Sequence, residues 1–160
     1  MGASVAYGVL HDQVTIRICL EYFTEFHPFL VATRDPTLLA AAWGVAATWW
    51  AGALIGVPLA IAARAGGAPP RIARDLLRPV GGLLLAMAAT AALAGVVGRA
   101  LASAGTVWIH PDWAGRIPEA EHVDFLTALW IHNGSYLAGF VGGVVLVIRT
   151  WRGRRATGRA

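Results

Sequence analysis

His11, Asp12, Gln13, Arg17, Glu21, Glu25 and His27 crowd between positions 11 and 27, in a segment whose other residues are mostly apolar. Imidazole and carboxylate groups are those that move protons and ligate metals near neutral pH. Wound as a helix, Gln13, Arg17, Glu21 and Thr24 share one stripe, with Glu25 and His11 beside it. Val5, Val9, Ile16, Leu20 and Phe23 take the other face. The i, i+4 spacing of Arg17 and Glu21 predicts an ion pair within the helix, which lowers the cost of either charge inside a membrane. His132 lies far along the chain in another apolar stretch, at a depth that topology matches to Arg17. Ionisable residues at membrane depth are rare, so His11, Asp12, Gln13, Arg17, Glu21 and His132 form the candidate polar site.

Several chemistries fit those residue types. Glu25, His27, His110, His122 and Asp124 are all expected at one membrane face, together with Glu21, Asp112, Glu119 and Glu121; such a mixture suits zinc, manganese or iron. No His-x-x-x-His or Glu-x-x-His spacing, however, fixes two ligands on one helix. His11 and His132 supply the two imidazoles that bis-histidine haem requires, without a Cys-x-x-Cys-His attachment motif. Asp12, Glu21, His11 and His132 also suit a proton relay, though the chain lacks the internal repeat of an alternating-access transporter. Ser4, Ser103 and Ser135 have no nucleophile-elbow context. The plain alternative is a network of Gln13, Arg17 and Glu21, satisfied by His132, Asn133 and Tyr136, that only fixes helix register. The sequence assigns no cofactor.

The elements that must position these groups are membrane helices. The 160 residues are 57% hydrophobic and 14% charged, with a mean hydropathy of +0.59. Soluble domains carry about a quarter charged residues. The apolar residues come in long runs, which defines a polytopic, all-α membrane protein in one domain. All 13 basic residues are Arg. The pI is near 10.2, but the Arg residues flank apolar spans instead of forming a patch among aromatics, which argues against nucleic acid. A lone Cys19 excludes an internal disulfide and a cysteine-based metal cluster. The first residues lack the basic region of a cleaved signal peptide, and Ala6 stands where myristoylation wants Ser or Thr.

The patterning predicts a four-helix transmembrane bundle with helices at about 4–26, 36–64, 79–103 and 124–148, and a basic cytoplasmic tail over 149–160. The first helix carries Asp12, Arg17 and Glu21, each costing roughly 2.5–3.5 kcal/mol at mid-membrane, so it is expected to turn a polar side into the bundle; lying in the interface is the alternative. Pro28 ends it, and Asp35-Pro36 opens the second helix with an N-cap and a proline at N1. Arg residues gather in the 64–78 connection and beyond 149, which the positive-inside rule places in the cytoplasm, with both termini there in a bacterial inner membrane. Small residues in helices two to four allow close backbone approach, and Gly139-xxx-Gly143 is a weak instance of that pattern.

The stretch His11-Asp-Gln-Val-Thr-x-Arg17-x-Cys-x-Glu-Tyr-Phe-Thr24, followed by His27-Pro28, resembles a group of small bacterial integral-membrane proteins, and the Trp43-Gly-Val-Ala-Ala-Thr-Trp-Trp50 run is similar to theirs as well. That resemblance implies a membrane bundle and assigns no catalytic residues. The expected function is that of a binding or accessory protein in the bilayer, with other membrane subunits as possible partners and a polar site in the outer half of the bundle. The alternative is a membrane enzyme or redox protein dependent on a metal or haem.

Overall fold

The computed structural model describes residues 1–28 and 30–157. Its elements are α1 (Gly2–Thr15), α2 (Glu21–Thr24), α3 (Pro36–Arg64), α4 (Ala73–Ser103), α5 (Pro111–Ala114) and α6 (His122–Thr157), with one turn of 3-10 helix at Glu119–Glu121 leading into α6. No strand occurs among the described residues. Three stretches are long and apolar enough to cross a membrane: Pro36–Arg64, Ala73–Ser103 and Glu119–Ala156. Leu54, Val57, Ile61, Leu85, Leu93 and Val96 are more than half exposed along α3 and α4. So much outward apolar surface is what lipid contact requires and what water penalises.

The expected first helix over 4–26 is not continuous. α1 stops at Thr15, and the chain turns through Arg17 N–H to Val14 C=O and Ile18 N–H to Thr15 C=O, at 3.2 and 3.0 Å. These are the tighter i→i−3 bonds of 3-10 geometry. The β-branched run Val14, Thr15, Ile16 and Ile18 weakens helix propagation there, and the turn carries Arg17 out to an exposed position. With 14 residues, α1 extends about 21 Å, short of a 30 Å hydrocarbon core. It lies antiparallel along one half of α3: Ser4 Oγ donates to Thr48 C=O at 2.7 Å, and Gln13 Nε2 donates to Thr37 C=O at 2.9 Å. Gly8 meets Gly44 between them, where a Cβ on either would overlap the neighbouring backbone.

The other boundaries shift outward or hold. α3 has the expected span, opened by Asp35, whose carboxylate accepts from Leu38 N–H at 2.9 Å. α4 starts at Ala73 instead of 79, because Asp75 accepts from Ile72 N–H at 3.0 Å and Pro79 is absorbed into the helix. α6 runs past 148 to Thr157, so the expected tail is helical up to that residue; residues 158–160 lie outside the described ones.

α6 is the axis of the molecule. α4 packs antiparallel along it, and α3 packs parallel to it, while α3 and α4 diverge from each other. Small residues make the α4–α6 contact: Gly98 faces Trp130, Gly95 faces Ile131, and Gly142 faces Leu83. At one end Arg154 is buried, donating to the carbonyls of Ala62, Ala65, Ala68 and Pro69. These carbonyls lie in the last turn of α3 and the connection after it, where helical bonding runs out, and the guanidinium closes them. Arg64, Arg71, Arg74, Arg78, Arg149, Arg152 and Arg155 share that end. The compact core is at the opposite end, where Ile16, Cys19, Tyr22, Phe23, Leu39, Ile109, Ile117 and Phe125 pack together.

Candidate functional site

α1 delivers Asp12 and His11 to the wall of α6 that carries His132. Asp12 Oδ1 lies 3.3 Å from His132 Nε2. Asp12 and His132 retain only 5% and 4% of their exposure. His132 sits ten residues into α6, about 15 Å from its start. Its Nδ1 lies 2.8 Å from the Ala128 carbonyl. A carbonyl only accepts, so Nδ1 carries a proton, and Nε2 is the nitrogen turned to the carboxylate. The His11 ring meets His132 edge to face, with centroids 4.7 Å apart. His11 Nε2 is buried and has no hydrogen-bond partner among the described residues. The ligating atoms of His11, Asp12 and His132 all lie within 4.8 Å of one another.

Aromatic rings roof this cluster. Tyr22 stacks on His132 at 4.5 Å, and Phe23 meets it at 5.9 Å. Phe26 and Phe125 pack around Tyr22, and Trp113 packs on Phe26 at 4.8 Å. α2 is too short to persist alone and is held here by these contacts. His27 Nδ1 lies 2.7 Å from the Tyr22 carbonyl, and its ring packs on Trp43 at 4.8 Å. Burial holds the His27 imidazole below its ordinary pKa, outweighing the Tyr22 carbonyl, which favours the protonated ring.

Beneath the cluster a cavity of about 350 Å³ runs between α1, α3, α4 and α6. Tyr7, His11, Asp12 and Ser135 border its upper part, and Tyr7 Oη lies 2.8 Å from Ser135 Oγ. Below them the lining is dominated by apolar side chains such as Leu59, Leu83 and Met87. Trp50, Leu54 and Phe140 line it and are also exposed on the outer helix surfaces, so it opens sideways between α3 and α4.

Of the expected polar site, the fold gathers His11, Asp12 and His132 and leaves the remainder elsewhere. Arg17 is exposed and donates to the carbonyl and Oε1 of Gln13 and to Thr37 Oγ1. No Arg17–Glu21 ion pair occurs among the described residues, because the helix that would align them ends at Thr15. Glu21 instead accepts from Cys19 Sγ at 3.6 Å, with Glu121 nearby. Burial, with some help from Glu21, pushes the Cys19 thiol up to about 12, so it is a protonated, inert group.

The expected outer metal set does not converge. His27 is engaged with Tyr22, His122 Nε2 lies 3.0 Å from the Ile117 carbonyl, His110 pairs with Asp112, and Asp124 pairs with Arg99. Glu25 belongs to neither of the two candidate ligand clusters among the described residues. Haem between His11 and His132 is also excluded, because rings in edge contact leave no gap for a porphyrin plane.

Tyr7 and Ser135 escaped the sequence reading as site residues. Their signal was helical spacing: Tyr7 precedes His11 by four residues, and Ser135 follows His132 by three.

The fold and this buried cluster define an all-helical membrane protein with an internal polar site. No family model, curated protein or solved structure matches the chain.

Proposed function

We propose that this is an intramembrane binding protein that admits an amphiphile, a molecule with a polar head and an apolar body, from the bilayer into the cavity. The observation that carries the reading is the cavity's polarity: Tyr7, Ser135, His11 and Asp12 lie at one end and apolar side chains dominate the remainder. Pockets of about 300–1,000 Å³ with a mostly apolar wall and a few convergent polar groups are the usual form of a small-molecule site. The head would exchange hydrogen bonds with the Tyr7–Ser135 pair. The positive-inside rule places the arginine end in the cytoplasm and the polar site in the outer half of the membrane. The small bacterial membrane proteins sharing the His11–Pro28 stretch are the proposed relatives.

Native mass spectrometry of the gently extracted protein tests this. One amphiphile class retained above its abundance in the surrounding lipid is expected. Gly56→Phe fills the cavity from a position where an added Cβ meets nothing within 4 Å, and should abolish that retention without unfolding the chain. Lipid bound only in proportion to the membrane's composition, unchanged by Gly56→Phe, would overturn the reading. Reporter fusions at positions 30 and 70 should fall on opposite sides of the membrane.

A further inference from the structure

We propose that His11, Asp12 and His132 bind a divalent transition-metal ion of the zinc, manganese or iron class at the head of the cavity. The inference uses the same polar end as the amphiphile reading but does not depend on an amphiphile being bound.

The first support is the direction of the lone pairs. The Ala128 carbonyl takes the Nδ1 proton of His132, which turns Nε2 to the Asp12 carboxylate 3.3 Å away. An imidazole nitrogen facing a carboxylate inside a protein requires a proton or a cation between the two. Metal-ligating histidines have this arrangement: the far nitrogen donates to a backbone carbonyl, which fixes the tautomer and turns the other nitrogen to the ion.

Distance is the second support. With metal–ligand bonds of about 2.0–2.2 Å, two ligands of a tetrahedral ion are about 3.4 Å apart. The Asp12–His132 separation is 3.3 Å, and all three ligating atoms fall within 4.8 Å. Third, His11 brings a buried Nε2 with no partner among the described residues. Such an atom costs free energy unless something occupies it.

The donor set narrows the ion. Two imidazoles and one carboxylate suit zinc, manganese and iron, whereas calcium and magnesium prefer oxygen alone and copper(I) prefers sulfur. The buried Cys19 belongs to the separate group with Glu21 and Glu121. Three protein ligands leave a tetrahedral ion one open position, the pattern of reactive rather than purely structural sites.

The test uses the full chain in detergent, stripped with a chelator and titrated with Zn(II) and with Co(II) as a spectroscopic probe. Saturable binding of one ion per chain is expected, with visible Co(II) bands of a nitrogen–oxygen site. Asp12→Asn and His132→Gln should each abolish the bands, and a His110→Gln, His122→Gln double variant should keep them. Should the site variants fail to fold, electron spin-echo spectra of the Cu(II)-loaded His110→Gln, His122→Gln double variant decide: couplings from two imidazole nitrogens support the site, and their absence overturns it. No saturable binding, or binding that survives Asp12→Asn and vanishes in the double variant, also overturns it and leaves Asp12 and His132 sharing a proton. Amphiphile retention, measured on the stripped chain, reports on the other reading independently.

Discussion

Asp12 and His132 are 120 positions apart in the chain, yet their buried side chains approach to 3.3 Å. α1 makes few contacts with α6 along its length, so this pair and the Tyr7–Ser135 hydrogen bond link the N-terminal helix to the axis of the bundle. Asp12→Ala removes it and leaves His132 with no polar partner beyond Ala128. Breaking a buried pair by truncating one member costs about 3–5 kcal/mol. Equilibrium unfolding in detergent should show a loss of that order, and a loss below about 1 kcal/mol would mean that water reaches the pair.

Arg17 should behave in the opposite way. It is exposed and bonds Gln13 and Thr37 at the rim of α1 and α3. Exposed polar links of this kind contribute about 0–1 kcal/mol. The melting temperature of Arg17→Ala should therefore stay close to that of the natural sequence, in contrast to Asp12→Ala.

Arg154 is the strongest single clamp at the arginine end. Its guanidinium serves four carbonyls, and hydrogen bonds from a charged group contribute about 1.5–3 kcal/mol each before entropy is counted. Arg154→Ala should lower the thermal midpoint clearly, and Arg154→Lys should restore little, because an ammonium cannot reproduce the planar fork. Arg152→Ala, at an exposed position, is the matched control and should change stability by less than about 0.5 kcal/mol.

Glycines on α4 divide into two groups. A side chain at Gly98 would drive into Trp130, whereas one at Gly81 meets nothing within 4 Å. Gly98→Leu should destabilise by about 1–3 kcal/mol or more through overpacking. Gly81→Ala should be neutral or stabilising by up to about 1 kcal/mol, since alanine favours the helix. Denaturant midpoints of the two variants provide the comparison.

His27 gives a pH signature. Burial lowers its pKa from the ordinary 6.5. The unfolded chain then binds the proton more readily than the native one, so stability is full above pH 6.5 and declines as pH falls below it, levelling off under the native pKa. His27→Gln should flatten that decline relative to the natural sequence in melts taken at stepped pH.

The long apolar runs made α3 legible to the residue, because Asp35-Pro36 signals a helix start by chemistry that no tertiary contact needs to supply. The same reasoning misjudged α1. A polar stripe through Gln13, Arg17 and Glu21 requires unbroken 3.6-residue periodicity, and the β-branched turn after Thr15 breaks it. Asp12 was legible as a buried acid but its partner was not, since pairing across 120 positions depends on the rotation of α1 about its own axis. Arg154 was invisible for a related reason. A basic run beyond a span reads as solvated, and only the carbonyls presented by residues 62–69 turn one member of it inward.

Those carbonyls also impose an order in time. They belong to residues that leave the ribosome 85 to 92 positions ahead of the arginine that satisfies them. Until α6 has been threaded in, the α3–α4 turn must be held by water or a chaperone, so a ribosome stalled short of Arg154 would release an unlatched hairpin for quality-control proteases to degrade.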